Sequence, residues 1–240
     1  MYMKMNDITF NFNDKIVIVF GGSRGIGHEV CNQFQKSGAN VFCASRSKPR
    51  NSDICHIKCD ITKEEDIKNV FDSVGDVDFV INVAGTNLCQ PVSNIDSAEW
   101  ERLMSTNLRS FFIICRESVN VMRERGGRIV NVSSIAGRHK SIVSGVHYTA
   151  SKYGIIGLTK QLAHEVSQYN ILVNCVCPSQ TLTEMLSTSM TEEQKKDLRA
   201  KIPIRRIATP KEQAIPILFL CSGGASYIAG TTLDVNGGQL

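Results

Sequence analysis

Short runs of consecutive apolar residues recur along the chain and alternate with longer segments in which apolar residues repeat at helical spacing. The continuous runs predict buried strands over 15–20, 40–45, 54–58, 77–82, 127–133, 171–177 and 231–236. Helical spacing predicts helices over 25–37, 62–74, 96–125, 147–168 and 210–221. Strands without polar alternation, separated by helices, are typical of a parallel sheet covered on both faces. We therefore expect an α/β fold, a single Rossmann-type doubly wound parallel sheet of about seven strands flanked by helices.

Residues at the element ends refine these predictions. Thr62 is a candidate N-cap for the second helix, and Thr209 with Pro210 opens the last one. We expect the long third helix to bend near Asn107. About nine residues join the second and third strands, fewer than a parallel crossover usually needs, so this connection is expected to lack a full helix.

The chain shows no internal repeat, low-complexity tract or linker, which predicts a single domain over 1–240. Within it we expect a flexible N-terminal arm over 1–12. The segment 181–203 is polar and helical in places, as a substrate lid would be.

Composition narrows the class of protein. Hydrophobic residues make up 42% and charged residues 21% of the chain, as in ordinary globular domains. The apolar runs are too short to span a bilayer, and the N-terminus lacks an apolar segment of signal-peptide length. We therefore expect a cytoplasmic protein without a membrane partner. The net charge of +4 is modest and basic residues are scattered apart from 45–50, which argues against a nucleic-acid partner.

The nine cysteines are expected to be reduced in that compartment. Cys175 and Cys177 alternate on a predicted strand and should share a face, while Cys55 and Cys59 flank His56. These spacings match a zinc site poorly. We expect buried thiols that act as small hydrophobes, and no metal.

The segment FGGSRGIG (20–27) follows the first predicted strand and opens the first helix. Glycines there let the backbone approach a phosphate at the positive end of a helix. A plain strand-to-helix turn is the alternative, but the flanking elements favour a dinucleotide site. The candidate cofactor-binding residues of this segment are Gly21, Ser23, Arg24, Gly25, Ile26 and Gly27.

The end of the second strand indicates which cofactor is bound. An NAD enzyme would place an acidic residue there to bind the ribose hydroxyls. The chain instead has Ser45 and Arg46, with Lys48 and Arg50 nearby and Arg24 in the glycine turn. Guanidinium groups suit a 2′-phosphate, so NADP(H) is favoured over a merely solvated basic loop.

The segment HYTASK (147–152) places Tyr148 and Lys152 four residues apart, on one face of a helix. A positive charge near a phenol favours phenolate and lowers the tyrosine pKa, which would make the tyrosine useful for acid–base catalysis. The alternative is a solvated lysine beside a half-buried tyrosine.

Together these motifs resemble the short-chain dehydrogenases/reductases, and the resemblance extends from Lys15 to Gly238. FGGSRGIG is similar to the family's TGxxxGxG turn, NVAG (82–85) to its NNAG, and HYTASK to its YxxxK. VSS (132–134) is similar to the segment that carries the active-site serine, and Asn107 stands at the place of the active-site asparagine. Within the family, these motifs most resemble those of the 3-oxoacyl-[acyl carrier protein] reductases and their relatives acting on sugars, polyols and polyketides.

The resemblance implies that Tyr148 exchanges a proton with the substrate, that Lys152 lowers its pKa and binds the nicotinamide ribose, and that Ser134 holds the substrate oxygen. Asn107 would help to hold a water that links Lys152 to solvent. The remaining cofactor contacts carried over in this way are Asp60 and Ile61 near the adenine, Asn82, Ala84 and Gly85 along the cofactor, and Thr183 at the carboxamide.

The implied activity is that of an NADP(H)-dependent oxidoreductase interconverting a carbonyl and a secondary alcohol, of the 3-oxoacyl reductase kind. The alternatives are an enzyme acting on a sugar, polyol or other small hydroxylated intermediate, and a non-catalytic NADP(H)-binding sensor or scaffold. A homotetramer or dimer is expected from pairing of the helices around 97–123 and 147–168. The second of these helices carries the small and apolar residues Gly154, Ile155, Gly157 and Leu158.

Some residues depart from the family's pattern. Phe20, Val83 and Ser179 replace a threonine, an asparagine and a glycine at supporting positions, so fine geometry is expected to differ. Arg125 fits one arginine of the family's carrier-docking surface, but Gln168 and its neighbour Tyr169 stand at the other. This weakens the expectation of an acyl-carrier substrate.

Overall fold

A computed structural model of the chain describes residues 8–141, 143–183, 186 and 191–240. Its strands are β1 (Ile16–Phe20), β2 (Asn40–Ser45), β3 (Cys55–Lys58), β4 (Phe79–Asn82), β5 (Gly127–Val132), β6 (Ile171–Pro178) and β7 (Thr232–Val235). The main helices are α1 (Gly25–Lys36), α2 (Glu64–Val74), α3 (Ser97–Met104), α4 (Ser110–Met122), α5 (Val146–Val166), α6 (Glu192–Ala200) and α7 (Pro210–Cys221). Each predicted strand is present.

All these strands form one seven-stranded sheet in the order β3-β2-β1-β4-β5-β6-β7, and every neighbouring pair is parallel. This confirms the predicted Rossmann-type doubly wound fold. The strand order reverses between β1 and β4, which opens a crevice beyond the carboxyl ends of these strands. Ligands of open α/β sheets bind at such a crevice. Gly21, Asn82 and Ser134 lie at or just beyond the ends of β1, β4 and β5, on this edge.

Alternate residues of β1 enter different cores. Val17 and Val19 pack with apolar residues of α1 and α7 on one face, and Ile18 and Phe20 pack with those of α2 and α4 on the other. Because both faces of the sheet are covered, its strands need no polar positions, which explains the continuous apolar runs in the sequence.

The segment predicted as one bent helix consists of α3, a π-helical turn (Ser105–Arg109) and α4. Thr62 does not cap α2, so that prediction is wrong. Its hydroxyl donates instead to Asp60 Oδ1 at 2.8 Å, and the N-cap position falls on Lys63. Thr209 caps α7 as predicted, accepting from the Glu212 backbone N–H at 3.3 Å.

The loop between β2 and β3, which is fully described, contains no helix, as predicted. Residues 1–7 of the predicted arm lie outside the described residues. In the described part of that arm, the Phe12 ring packs against Phe34 and Phe79, with centroid distances of 5.1 and 5.4 Å.

The predicted lid contains α6, but its residues 184–185 and 187–190 lie outside the described residues. Leu198 of α6 packs against Ile202 and Ile207 in a small apolar cluster at the end of this segment. Across the described ranges, no helix is both long and apolar enough to cross a bilayer.

The cysteines are free thiols. Most are buried, and Cys175 and Cys177 share one core cluster with Phe111, as their alternation predicts. Cys55 and Cys89 are exposed, so the expectation of buried thiols is wrong for these two. Cys55 belongs to the edge strand β3 and Cys89 to a loop, where the fold offers less cover.

Candidate active site

The glycine turn after β1 has the geometry of a phosphate cradle. Gly21 has a φ of +92°, which glycine adopts without strain. A Cβ there would lie 2.6 Å from Ala84 Cα, and a Cβ at Gly27 would lie 2.3 Å from the Gly21 carbonyl oxygen. The N-cap residue Arg24 makes no side-chain capping bond, so no side-chain cap covers the positive end of α1. A glycine-rich turn beside a helix N-terminus fits the diphosphate of a dinucleotide.

Thr183 lies over this turn. Its methyl carbon is 3.2 Å from the position that a Cβ would take at Gly25. The structure therefore brings Thr183 and the glycine turn together, while their contact with a cofactor stays a prediction. The Ile26 side chain packs against the apolar core, so only the main chain of Ile26 could contact a cofactor. Ser23 is partly buried.

Arg46 and Asp60 lie together at the other end of the crevice. Hydrogen bonds from the backbone N–H and hydroxyl of Thr62 lower the pKa of Asp60, and the charge of Arg46 lowers it further. Arg46 is exposed, whereas Ser45 is buried and donates its hydroxyl to the Ser47 carbonyl at 2.8 Å. Ile61, the other predicted adenine contact, is partly buried against the core.

Asn82 turns its side chain into the protein. It is fully buried, and its Nδ2 donates to Asn131 Oδ1 at 2.8 Å. Asn131 in turn donates to the Thr159 hydroxyl at 3.0 Å, so the two amides connect β4 and β5 to α5. Because this side chain is buried, Asn82 could contact a cofactor only through its main chain. The neighbouring Ala84 backbone N–H donates to the Phe20 carbonyl at 2.9 Å, which holds the start of this loop against β1.

Asn107 holds the loop that follows β4. Its Oδ1 accepts from the Thr86 N–H at 2.9 Å and its Nδ2 donates to the Thr86 carbonyl at 2.8 Å. A Cβ at the preceding Gly85 would lie 3.4 Å from Asn107 Oδ1 and 3.7 Å from Lys152 Nζ. Gly85 thus leaves the space beside the lysine ammonium free of side chains. The π-helical turn that carries Asn107 is a feature often found at functional sites.

Lys152 and Tyr148 lie on the first turns of α5, as their spacing predicts. Lys152 is buried, and its Nζ donates to the Val132 carbonyl at 3.1 Å. The same nitrogen lies 5.6 Å from the centre of the Tyr148 ring and 5.5 Å from that of Phe111. Burial lowers the pKa of Lys152 to about 8.

Ser134 follows β5 and faces the tyrosine. Its hydroxyl accepts from the Ala136 N–H at 3.1 Å. Burial raises the pKa of Tyr148 above its ordinary value, and hydrogen bonding with Ser134 partly opposes this shift. The predicted lowering of the Tyr148 pKa by Lys152 is therefore wrong in direction for this structure, because burial of the phenol has the larger effect. The phenol is held in its protonated, proton-donating form at neutral pH.

Sequence reasoning missed several residues that support the site. The Ser133 hydroxyl donates to the Lys152 carbonyl at 2.7 Å. Arg138, four residues after Ser134, pairs with Asp234 of β7 at 3.1 Å. The available signal for Ser133 was its position directly after an apolar strand. A polar side chain buried there needs a hydrogen-bond partner, which would have indicated a contact with another element.

Comparison with known proteins gives a consistent result. A family model described as "Enoyl-(Acyl carrier protein) reductase" matches residues 21–239. The chain is 34% identical to the acetoacetyl-CoA reductase of Acinetobacter sp. (strain RA3849) over 242 residues, which cover 93% of this chain and 97% of that protein. It is 33% identical to the 3-oxoacyl-[acyl-carrier-protein] reductase FabG of Aquifex aeolicus (strain VF5), with 94% and 97% of the two chains covered.

Among solved structures, the chain is similar to the ligand-free aldohexose dehydrogenase of Thermoplasma acidophilum. The TM-score is 0.88 at 30% identity, and the match covers 95% of this chain and 94% of the other.

Proposed function

The chain belongs to the short-chain dehydrogenase/reductase family, and from this premise we propose that it is an NADP(H)-dependent reductase of 3-oxoacyl thioesters. It is an oxidoreductase that interconverts a carbonyl group and an alcohol. The observation that carries the finer proposal is the convergence of Ser134, Tyr148 and Lys152 beside the side-chain-free Gly85.

In this proposal, bound NADPH would supply the hydride, and the protein holds the carbonyl and moves the proton. Ser134 donates a hydrogen bond to the carbonyl oxygen as negative charge develops there. The Tyr148 phenol, kept protonated by burial, gives its proton to that oxygen and takes it back in the reverse direction. Lys152, fixed by the Val132 carbonyl, would bind the ribose hydroxyls across the open side of Gly85.

The preference for NADP(H) rests on the charges at the end of β2. Ser45 stands where an acidic side chain would bind ribose hydroxyls, and the next residue is the exposed Arg46. Arg24 in the glycine turn is also exposed. Two guanidinium groups favour a 2′-phosphate.

The names of the two sequence relatives support a thioester substrate. Arg125 is paired with Asp76, and Arg123 lies 4.6 Å over the ring of Tyr169. Arg125 is thus already ion-paired, and Gln168 and Tyr169 stand where the family's second docking arginine would lie, which favours a coenzyme A thioester over a carrier-bound one. A sugar or polyol is the second candidate substrate, favoured by the similarity to an aldohexose dehydrogenase.

The proposal is tested directly by comparing the rate of NADPH consumption with acetoacetyl-CoA and with the acetoacetyl group bound to an acyl carrier protein. Reduction of NADP⁺ by an aldohexose tests the second candidate. Turnover of the coenzyme A thioester is the expected result. Tight NADPH binding without turnover of any of the three substrates would favour the sensor or scaffold instead.

We further propose one domain over 1–240, a cytoplasmic location and a homotetramer or dimer formed through α4 and α5. Phe112 and Tyr153 on these helices are 50% and 49% exposed, and Gly157 has open space above it. Exposed apolar residues of this kind favour pairing across a two-fold axis. Gly154 and Ile155 pack inside the chain, so they do not serve the interface as their sequence suggested. A monomeric mass by light scattering would contradict the assembly.

A further inference from the structure

Three consecutive residues at the end of β5 each contact the reactive groups on α5. The Val132 carbonyl accepts from Lys152 Nζ at 3.1 Å, and the Ser133 hydroxyl donates to the Lys152 carbonyl at 2.7 Å. Ser134 hydrogen-bonds with the Tyr148 phenol. Lys152 is therefore held at both its ammonium and its main chain by adjacent residues of one strand.

Ser133 is a rigid donor for this bond. It is 4% exposed, and its own N–H donates to the Val176 carbonyl at 2.8 Å, which fixes it to the neighbouring strand β6. A Cβ at Gly137 would lie 2.6 Å from both the Ser133 hydroxyl oxygen and the Lys152 carbonyl oxygen. The backbone at Gly137 therefore lies directly over the bond and shields it from solvent.

Apart from the bond of the Lys152 ammonium to the Val132 carbonyl, which ends a flexible side chain, the other polar contacts of α5 do not duplicate this anchor. The Ser151 hydroxyl donates to the Tyr148 carbonyl at 2.7 Å within the same helix, so it cannot fix the helix to the sheet. Thr159 accepts from Asn131, but it lies about two turns beyond Lys152. The Ser133 bond acts on the helix at the residues that carry the chemistry.

We propose that Ser133 is a positioning residue: its hydroxyl sets the register of α5 on β5 and thereby the separation between Ser134 and the pair Tyr148 and Lys152. Its kinetic consequence rests on the proposed reductase function, whereas the anchor itself does not. The two hydroxyls of Ser134 and Tyr148 must converge on one carbonyl oxygen. A displacement of about 1 Å in such an arrangement can lower the rate by about 100-fold.

The test compares Ser133→Ala and Ser133→Thr with the control Ser118→Ala. Ser118 is also buried and donates its hydroxyl to a helix carbonyl, that of Ile114 at 2.7 Å, but it does so within α4. Hydrogen exchange of the amides in 146–156 is followed by mass spectrometry without any substrate. Turnover of acetoacetyl-CoA is measured with NADPH and with NADPH deuterated at the transferred position.

We expect Ser133→Ala to exchange faster across 146–156 and to lose about 10- to 100-fold in kcat, with an increased isotope effect and a KM within about threefold of wild type. Ser133→Thr keeps the hydroxyl and should restore both exchange and kcat. Ser118→Ala should change neither of these properties, even if it lowers the melting temperature as Ser133→Ala does.

Unchanged exchange in Ser133→Ala would overturn the proposal whatever the turnover, and so would a kcat loss that Ser133→Thr fails to restore. If the wild-type protein turns over no carbonyl substrate, the proposed function fails. Faster exchange that Ser133→Thr reverses would still support the anchor in that case.

Discussion

Replacing Lys152 by methionine should stabilise the protein while removing its catalysis. Lys152 is 4% exposed. Its Nζ has the Val132 carbonyl at 3.1 Å as hydrogen-bond acceptor, and the faces of Phe111 and Tyr148 lie beyond 5 Å. Burial lowers the pKa of Lys152 to about 8, which means that the folded state disfavours the charged form.

The shift from 10.5 to about 8 corresponds to about 3 kcal/mol in the free energy of unfolding. Below about pH 8 the lysine is protonated in both the folded and the unfolded state, so the full penalty applies. Above that pH the folded protein releases the proton while the unfolded chain keeps it. The penalty therefore decreases with rising pH and vanishes near the ordinary pKa of 10.5.

Methionine has a similar length and carries no charge, so Lys152→Met should be more stable than wild type by about 1–3 kcal/mol at neutral pH. That advantage should shrink as the pH rises. Urea unfolding of both proteins between about pH 7 and pH 10 measures the difference. Lys160→Met, at an exposed lysine of the same helix, is the control and should show no such pH dependence. A Lys152→Met protein that is less stable than wild type at neutral pH, or an advantage that does not change with pH, would refute the reasoning.

Three further predictions concern single residues. Tyr148→Phe should keep the fold and NADPH binding but lower kcat by about 10²–10⁴-fold, because the proton donor is lost; binding titration and turnover on one preparation separate the two effects. Arg46→Asp should reverse the preference from NADPH to NADH, since it replaces a guanidinium with a carboxylate beside Asp60, and equal affinity of the wild type for both cofactors would contradict this. Arg205 has a φ of +58°, a left-handed conformation that glycine adopts without strain, so Arg205→Gly should raise the free energy of unfolding by about 1 kcal/mol. Urea unfolding measures this change, and a lower free energy of unfolding would show that the hydrogen bond of Arg205 to the Ala200 carbonyl outweighs the strain.

The sheet and the glycine turn could be predicted because their signals are local. A buried parallel strand is a continuous apolar run, and the glycines of the turn after β1 are recognised by their spacing between a strand and a helix. The pairing of Tyr148 with Lys152 is likewise set by helical geometry alone. The cap at Thr62 failed at the same local scale, because the preceding Asp60 competes for its hydroxyl.

What could not be predicted depends on packing between distant segments. The π-helical turn at Asn107 directs this side chain to a hydrogen bond with Thr86 in another loop. Hydrophobic periodicity within the helix therefore does not reveal the turn. The direction of the Tyr148 pKa shift is set by burial among elements far apart in the chain, and that burial outweighs the charge one turn away. The inward orientation of Asn82 requires knowledge that Asn131 lies on the adjacent strand.

A buried polar network joins the sheet to the helix that carries Lys152. Asn82, Asn131 and Thr159 connect β4, β5 and α5 through neutral groups. A carboxylate in place of Asn131 could still accept from Asn82 but could not donate to the Thr159 hydroxyl, and its negative charge would raise the pKa of Lys152 and attract the ammonium. An ammonium paired in this way would be less available to a cofactor's hydroxyls and to the phenol of Tyr148. Neutral amides instead join the sheet to α5 by hydrogen bonds that bring no competing charge. The site therefore keeps a lysine that weakens the fold near neutral pH and is free to act.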